Sequence, residues 1–159
     1  MNTPAISIYH ANARNTGAAI RIAFVKPRHI EVRDEFSDGH LDLTIASQSE
    51  AGEPPSFDWD NSIDMPLYFA EISMILEVLH GVRESINDGK GIWMHRTNGE
   101  RIILRFRHII EPLSGYALEV FRRRGNDDLG AIHILLSEAE AMGIGYALEA
   151  TIGKMLFGD

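Results

Sequence analysis

The stretch Gly99 to Glu111, GERIILRFRHIIE, puts Arg101, Arg105 and Arg107 on one alternation with Ile103, and Ile102, Leu104 and Phe106 on the other. Successive side chains of a strand point to opposite faces, so three guanidinium groups share one side of one strand. A guanidinium stays charged and offers a planar fork of donors that fits phosphate. The chemistry is anion binding rather than bond making. Arg21 falls on the matching phase of an earlier strand, opposite Ile20 and Ile22, and Arg14 lies just before it. Arg122, Arg123 and Arg124 end a later strand at what should be a sheet rim. Aromatic rings are interleaved: Trp93 and His95 alternate with Ile92 and Met94, Tyr9 holds the corresponding place in an earlier segment, and Trp59 sits in FDWDNS. Basic groups for phosphates and aromatic faces for bases suit a flexible single strand, each stacked base being worth about 1–3 kcal/mol. The competing reading keeps Tyr9 and Trp93 in the core, as aromatics commonly are, and leaves the arginines as ordinary solvent-facing residues.

Charge along the chain sharpens that choice. The formal net charge is −8, which argues against a polyanion partner if spread evenly. It is not. Residues 50–89 carry one basic and nine acidic side chains, and residues 90–124 carry eight basic and three acidic. A ligand feels the field within about 8–10 Å at physiological salt, so 90–124 can form an anion-binding surface in an acidic protein. Alternatively its arginines pair with the acids of 50–89. Charge alone leaves both open.

Little in the sequence resembles a catalytic centre. There is no cysteine, which excludes disulfides, zinc-thiolate sites and thiol catalysis. His10, His29, His40, His80, His95, His108 and His133 form no HExxH, and no pair lies three or four apart on a helix. His10 and His95 hold equivalent repeat positions and could meet at strand ends; isolated histidines are the simpler expectation. Asp58 and Asp60 flank Trp59 and could present two carboxylates to a divalent ion, but DNS is also a turn, and the turn is favoured. RESINDGKG lacks the Walker spacing and is expected to be a turn between repeats. No cofactor, metal or enzymatic activity is expected.

The elements that must hold these residues repeat. SIDMPLYFAEISMILEVLHG (62–81) matches AIHILLSEAEAMGIGYALEATIG (131–153) as a strand running into a helix. Upstream, DGHLDLTIASQ matches SGYALEVFRRR, GAAIRIAFV matches GERIILRFR, and SIYH matches GIWMH. This order predicts one α+β domain over residues 1–159, built of two tandem ββββα repeats at about 5–81 and about 91–157. A strand is expected from Phe57 to Leu67, with others near 91–96, 100–110, 115–124 and 130–136. Pro27 should bend or end a strand, Ile30 and Val32 could extend a hairpin, and Asp38-Gly39 and Asn98-Gly99 should be turns. Tyr68, Ile72, Ile75, Leu76 and Leu79 form the apolar stripe of a first helix. Ser137 to Glu140 reads as a capping box opening the second. Gly143 and Gly145 each cost that helix roughly 1 kcal/mol against alanine. A close backbone approach should offset this, either within the chain, which is slightly favoured, or from a neighbouring subunit. No apolar run is long enough to span a membrane, and MNTPAISIYH is no secretory leader, so a cytoplasmic protein is expected.

Several of these segments together resemble the Whirly family of single-stranded-DNA-binding proteins, over about residues 8–157. Phe57-Asp58-Trp59 is similar to the family's Tyr-Asp-Trp, and Gly81-Val82-Arg83-Glu84-Ser85 to its Gly-Pro-Arg-Glu-Ser. Gly39-His40-Leu41-Asp42-Leu43-Thr44-Ile45-Ala46 resembles its Gly-Phe-Leu-Leu-Leu-Gln-Phe-Ala strand. Asn15-Thr16-Gly17-Ala18-Ala19-Ile20 falls on its Lys-Gly-Lys-Ala-Ala-Leu, with both lysines gone and Arg14 adjacent. The resemblance implies two antiparallel sheets packed roughly perpendicular with helices on one face, helices meeting at a homotetramer centre, and DNA lying between neighbouring sheets without sequence specificity. The wider superfamily includes transcriptional coactivators and guide-RNA-binding proteins, so the partner expected is single-stranded DNA or RNA, in DNA repair, other DNA metabolism or transcription regulation. Arg14, Arg21, Arg101, Arg105, Arg107, Arg122 and Arg123 would then meet phosphates, and Tyr9, Trp59, Trp93 and His95 bases. The rivals are an oligomeric β-sheet scaffold for an acidic protein partner and a metal-dependent nuclease using Asp58, Asp60 and histidines.

Overall fold

A computed structural model describes residues 5–26, 28–30, 35–37 and 39–157. The first repeat runs β1 (Ala5–His10), β2 (Ala18–Val25), a hairpin of β3 (Arg28–Ile30) and β4 (Glu35–Ser37), β5 (His40–Glu50), β6 (Ser56–Phe57), β7 (Ile63–Leu67) and α1 (Phe69–Leu79). The second runs β8 (Ile92–His95), β9 (Glu100–Ile109), β10 (Gly115–Arg124), β11 (Asp127–Ser137) and α2 (Glu138–Phe157). Both are antiparallel sheets followed by a helix, in the order β1-β2-β5-β7 and β8-β9-β10-β11, with β6 on the far end of β5.

Two of the expected strands need adjusting, while the turn expected at Asn98-Gly99 is present. The strand foreseen from Phe57 to Leu67 is broken, and the turn expected at DNS is what breaks it, a 3-10 turn at Trp59–Asn61. The turn holds because both carboxylate oxygens of Asp58 accept from Asn61 Nδ2, at 3.2 and 3.0 Å. The last strand begins earlier than 130, at Asp127, because the Gly125-Asn126 turn returns the chain at once, with a register shift beside Arg122 and Arg123. The Asn98-Gly99 hairpin carries a three-residue loop: Gly99 N–H bonds Arg96 O at 3.1 Å, and Gly99 adopts φ +82°. Ile30 does enter a short hairpin; Pro27, Val32 and Asp38 lie outside the described residues.

The alternation read from sequence sets which faces are buried. Ala18, Ile20 and Ile22 of β2 and Leu41, Leu43 and Ile45 of β5 point inward. So do Ile102, Leu104 and Phe106 of β9, Tyr116, Leu118 and Val120 of β10, and Ile132, Ile134 and Leu136 of β11. They join one buried cluster with residues of both helices. On α1 the buried stripe is Ile72, Ile75 and Val78, while Tyr68 is exposed at the helix start rather than buried with them.

Helix α2 opens with the capping box: Ser137 N–H donates to Glu140 Oε1 at 2.9 Å, and Glu140 N–H donates to Ser137 Oγ at 3.1 Å. Ala141, Ile144, Leu148 and Thr151 bury one face. His10 with Glu140 (2.7 Å), His80 with Glu149 (2.8 Å) and His108 with Glu138 (3.3 Å) tie this helix to β1, α1 and β9. Its glycines are not explained by a tight contact inside the chain. A Cβ on Gly143 or Gly153 would meet nothing within 4 Å, and one on Gly145 only Leu79 Cδ1 at 3.6 Å.

Candidate nucleic-acid interface

The outward residues of the β8–β11 sheet form cross-strand rows set by the register. His95, Arg101, Arg123 and Asp128 make one row, and Trp93, Ile103, Phe121 and Ala131 the next. Then come Arg105, Glu119 and His133, followed by Arg107, Ala117 and Leu135. Six of the predicted site residues therefore share one surface: Arg101, Arg105, Arg107, Arg123, Trp93 and His95.

Their side chains are held by aromatic faces and backbone more than by acids. The Arg101 guanidinium lies 5.5 Å from the Trp93 ring centre and donates to Gly125 O at 3.0 Å. Arg105 lies 4.9 Å above Phe121. Such stacking holds a guanidinium while leaving its charge uncompensated. Trp93 is 47 % exposed, with its indole N–H on Lys90 O at 3.0 Å. Trp93 is therefore a surface ring and not a core one.

Pairing with the acids of 50–89 is confined, among the described residues, to Arg83 with Glu77 (2.8 Å) and Arg96 with Asp64 (3.8 Å), neither of them a predicted site residue. Arg124 is paired with Glu100 at 3.0 Å. Among the described residues Arg101, Arg105, Arg107 and Arg123 form no ion pair.

The other predicted residues lie elsewhere. Arg21 is exposed on the outer face of β2, between Ser7 and Thr44, with no ion pair among the described residues. Tyr9, on the same face, is 58 % exposed and sits 5.5 Å from the Phe57 ring. Trp59 is half-buried in the 3-10 turn, and Arg14 is exposed in the β1–β2 loop. Arg122 departs from the expectation. Neighbouring strand residues face opposite ways, so it points to the core side with Ile102 and Val120, and its Nε is buried without a partner among the described residues. His10 and His95 do not form a site: one bonds Glu140, the other stands beside Arg101.

Sequence reasoning overlooked Gln48. It is 5 % exposed, and all its hydrogen-bonding capacity is engaged. Its Oε1 accepts from Asn12 N–H (2.9 Å) and Gly17 N–H (3.1 Å), and its Nε2 donates to Asn12 O (3.0 Å) and Glu50 O (3.3 Å). This clamp shapes the loop that carries Arg14. Gly17 has no room for a side chain there, because a Cβ would press on both His10 O and the clamp's own Gln48 Oε1, at 2.5 Å from the latter. Gln48 falls on the phase of Asp42 and Thr44, the polar side of β5, so alternation gave no sign of its burial.

Titration is perturbed on the helix side of the sheets. Burial would raise the Glu140 carboxyl, but the bonds from Ser137 N–H and His10 outweigh it and hold the group below its ordinary range. Hydrogen bonds from Ser114 and His108 hold Glu138 low, and burial, with Glu138 nearby, pushes Tyr116 up. Among the described residues no three His, Asp or Glu side chains gather as a metal site.

Among solved structures, WHY3 of Arabidopsis thaliana superimposes with a TM-score of 0.76 at 19 % identity, covering 99 % of this chain and 91 % of that one. This is the Whirly fold. The plant transcriptional regulator PBF-2 matches with a TM-score of 0.75 at 18 % identity, over 98 % of this chain and 84 % of that one. A guide-RNA-binding protein complex bound to a guide RNA matches at 0.64 and 15 % identity, over 98 % and 94 %. No family model and no curated protein sequence matches.

Proposed function

We propose that this protein binds single-stranded nucleic acid, DNA by preference, largely without regard to sequence and without catalysis. The observation that carries the reading is the open face of the β8–β11 sheet, where Arg101, Arg105, Arg107 and Arg123 have no carboxylate partner among the described residues and Trp93 stands exposed among them. Backbone phosphates replace the missing acids, and Trp93 stacks a base. Arg21 and Tyr9 supply a second, weaker contact on the other sheet. The likeness to a guide-RNA-binding complex bound to its RNA supports the ligand class, and the likeness to a plant transcriptional regulator supports a role in transcription or DNA metabolism.

The assembly belongs to the same proposal. Met142 and Tyr146 on α2 are 62 % and 67 % exposed, and Gly143 and Gly153 leave open space where another helix can approach closely. A homotetramer joined through the helices accounts for both.

Fluorescence anisotropy with labelled single-stranded and duplex oligomers at two salt concentrations tests the function. Single-strand binding with a log-log salt slope of about −0.7 per neutralised phosphate is expected. Absence of binding at low salt leaves the scaffold reading, and magnesium-dependent cleavage abolished by Asp58→Asn would establish a nuclease.

A further inference from the structure

The arginine face carries two carboxylates, and they differ: Asp128 accepts from Gly130 N–H at 2.9 Å, whereas Glu119 accepts no hydrogen bond among the described residues. Strand β8 begins at Ile92 opposite Leu104, so past Leu104 strand β9 lacks that edge partner. The 84–91 loop closes back against it there: His108 N–H donates to Glu84 O at 2.9 Å, and Ser85 bridges Arg107. The loop stays close because Gly91, at φ +78°, leaves no room for a side chain; a Cβ would stand 2.3 Å from Leu104 O. Between loop and sheet lies a notch of about 160 Å³, lined by Ser85, Ile86, Gly89, Arg105, Arg107 and Glu119 among others. Pockets for drug-sized ligands start at about 300 Å³, so this one suits a single small ring.

Glu119 stands in register with Arg105 on one side and His133 on the other, the usual setting for a cross-strand ion pair. None forms, because the Arg105 guanidinium lies over Phe121. Glu119 is half-buried, and its carboxylate has no partner among the described residues. An ionised carboxylate only accepts hydrogen bonds, so a group that pairs with it must donate. Phosphate offers it no proton at neutral pH. The exocyclic amine of cytosine does, and glutamate accepting from cytosine N4 is a known pairing. Thymine presents a carbonyl oxygen at that position, which leaves two acceptors facing each other.

We propose that this notch is a pyrimidine socket in which Glu119 accepts from the cytosine amine while Arg105 and Arg107 hold the flanking phosphates. The proposal rests on the single-strand binding argued above and adds to it a preference for cytosine over thymine at one position. Anisotropy with a thymidine tract and the same tract bearing one central deoxycytidine tests it. The wild-type protein should bind the substituted tract about fivefold more tightly. Glu119→Gln should bring the ratio close to one, because an amide can donate to the thymine oxygen as well as accept from cytosine. The ratio separates recognition from a bulk charge effect, since removing a negative charge strengthens both complexes alike. Equal binding of the two tracts by wild type, or a preference that survives Glu119→Gln, overturns the socket. No binding of either tract at low salt overturns the functional reading itself.

Discussion

Two classes of arginine stand on this chain, and they should behave differently. Arg105 and Arg107 have no acidic partner among the described residues, whereas Arg83 sits against Glu77. Arg105→Ala and Arg107→Ala should each reduce the steepness of the salt dependence by about 0.7, and the triple change with Arg101→Ala by about 2. Arg83→Ala should leave the slope within error, because its charge is already met inside the chain. Salt-dependent titration of each variant checks this. A second test at the residue scale concerns the clamp. Gln48→Ala strands the N–H groups of Asn12 and Gly17, and leaving a buried polar group unmet costs about 1–3 kcal/mol. Urea unfolding should show that loss without a change in the binding slope. Strand alternation made Arg101, Arg105 and Arg107 readable as a set, and the same rule applied to the run Arg122-Arg123-Arg124 would have turned Arg122 inward. Gln48 escaped notice because its partners, Asn12, Gly17 and Glu50, gather only when the β1–β2 loop folds over β5.

At the scale of the element, α2 depends on its first turn. Ser137→Ala removes the acceptor for Glu140 N–H and should cost about 1 kcal/mol, visible as a lower thermal midpoint. Glu140 makes that turn sensitive to acid. Its carboxyl is held below the ordinary value of 4.5 in the folded protein, so over the acid range the unfolded chain binds more protons than the folded one. Its contribution is complete at pH above 4.5 and fades as pH falls through the lowered folded value. Glu140→Gln should therefore flatten the stability profile below pH 4.5, measured by thermal unfolding across a pH series. The capping box was legible because its bonds span four consecutive residues. The turn at DNS was legible too, but Phe57 to Leu67 alternates well enough to read as one strand across it, and the break shows only where Asp58 closes on Asn61.

At the scale of the molecule, the exposed face of α2 is the feature that an isolated chain leaves unpartnered. Tyr146→Glu places a charge in the proposed helix contact and should shift the species seen by light scattering from tetramer toward monomer. If the phosphate path runs between neighbouring sheets, single-strand affinity should fall with it by tenfold or more, a change of about 1.4 kcal/mol. A monomeric wild-type protein in that measurement would refute the assembly. The order of the repeats was readable here because each half places strands and helix in the same sequence. The hairpin of β3 and β4 belongs to the first half alone, and nothing in the second half announced it.

Period-two patterning, turn residues and a capping box act over a few neighbours, so the sequence alone determined the strands, both helices, the repeat and the grouping of three arginines on one face. Which charges remain unmet depends on distances between residues far apart in the chain. Only the tertiary structure could therefore decide that Arg96 reaches back to Asp64, that Arg105 rests on Phe121 instead of Glu119, and that Gly143 and Gly153 of α2 face open space.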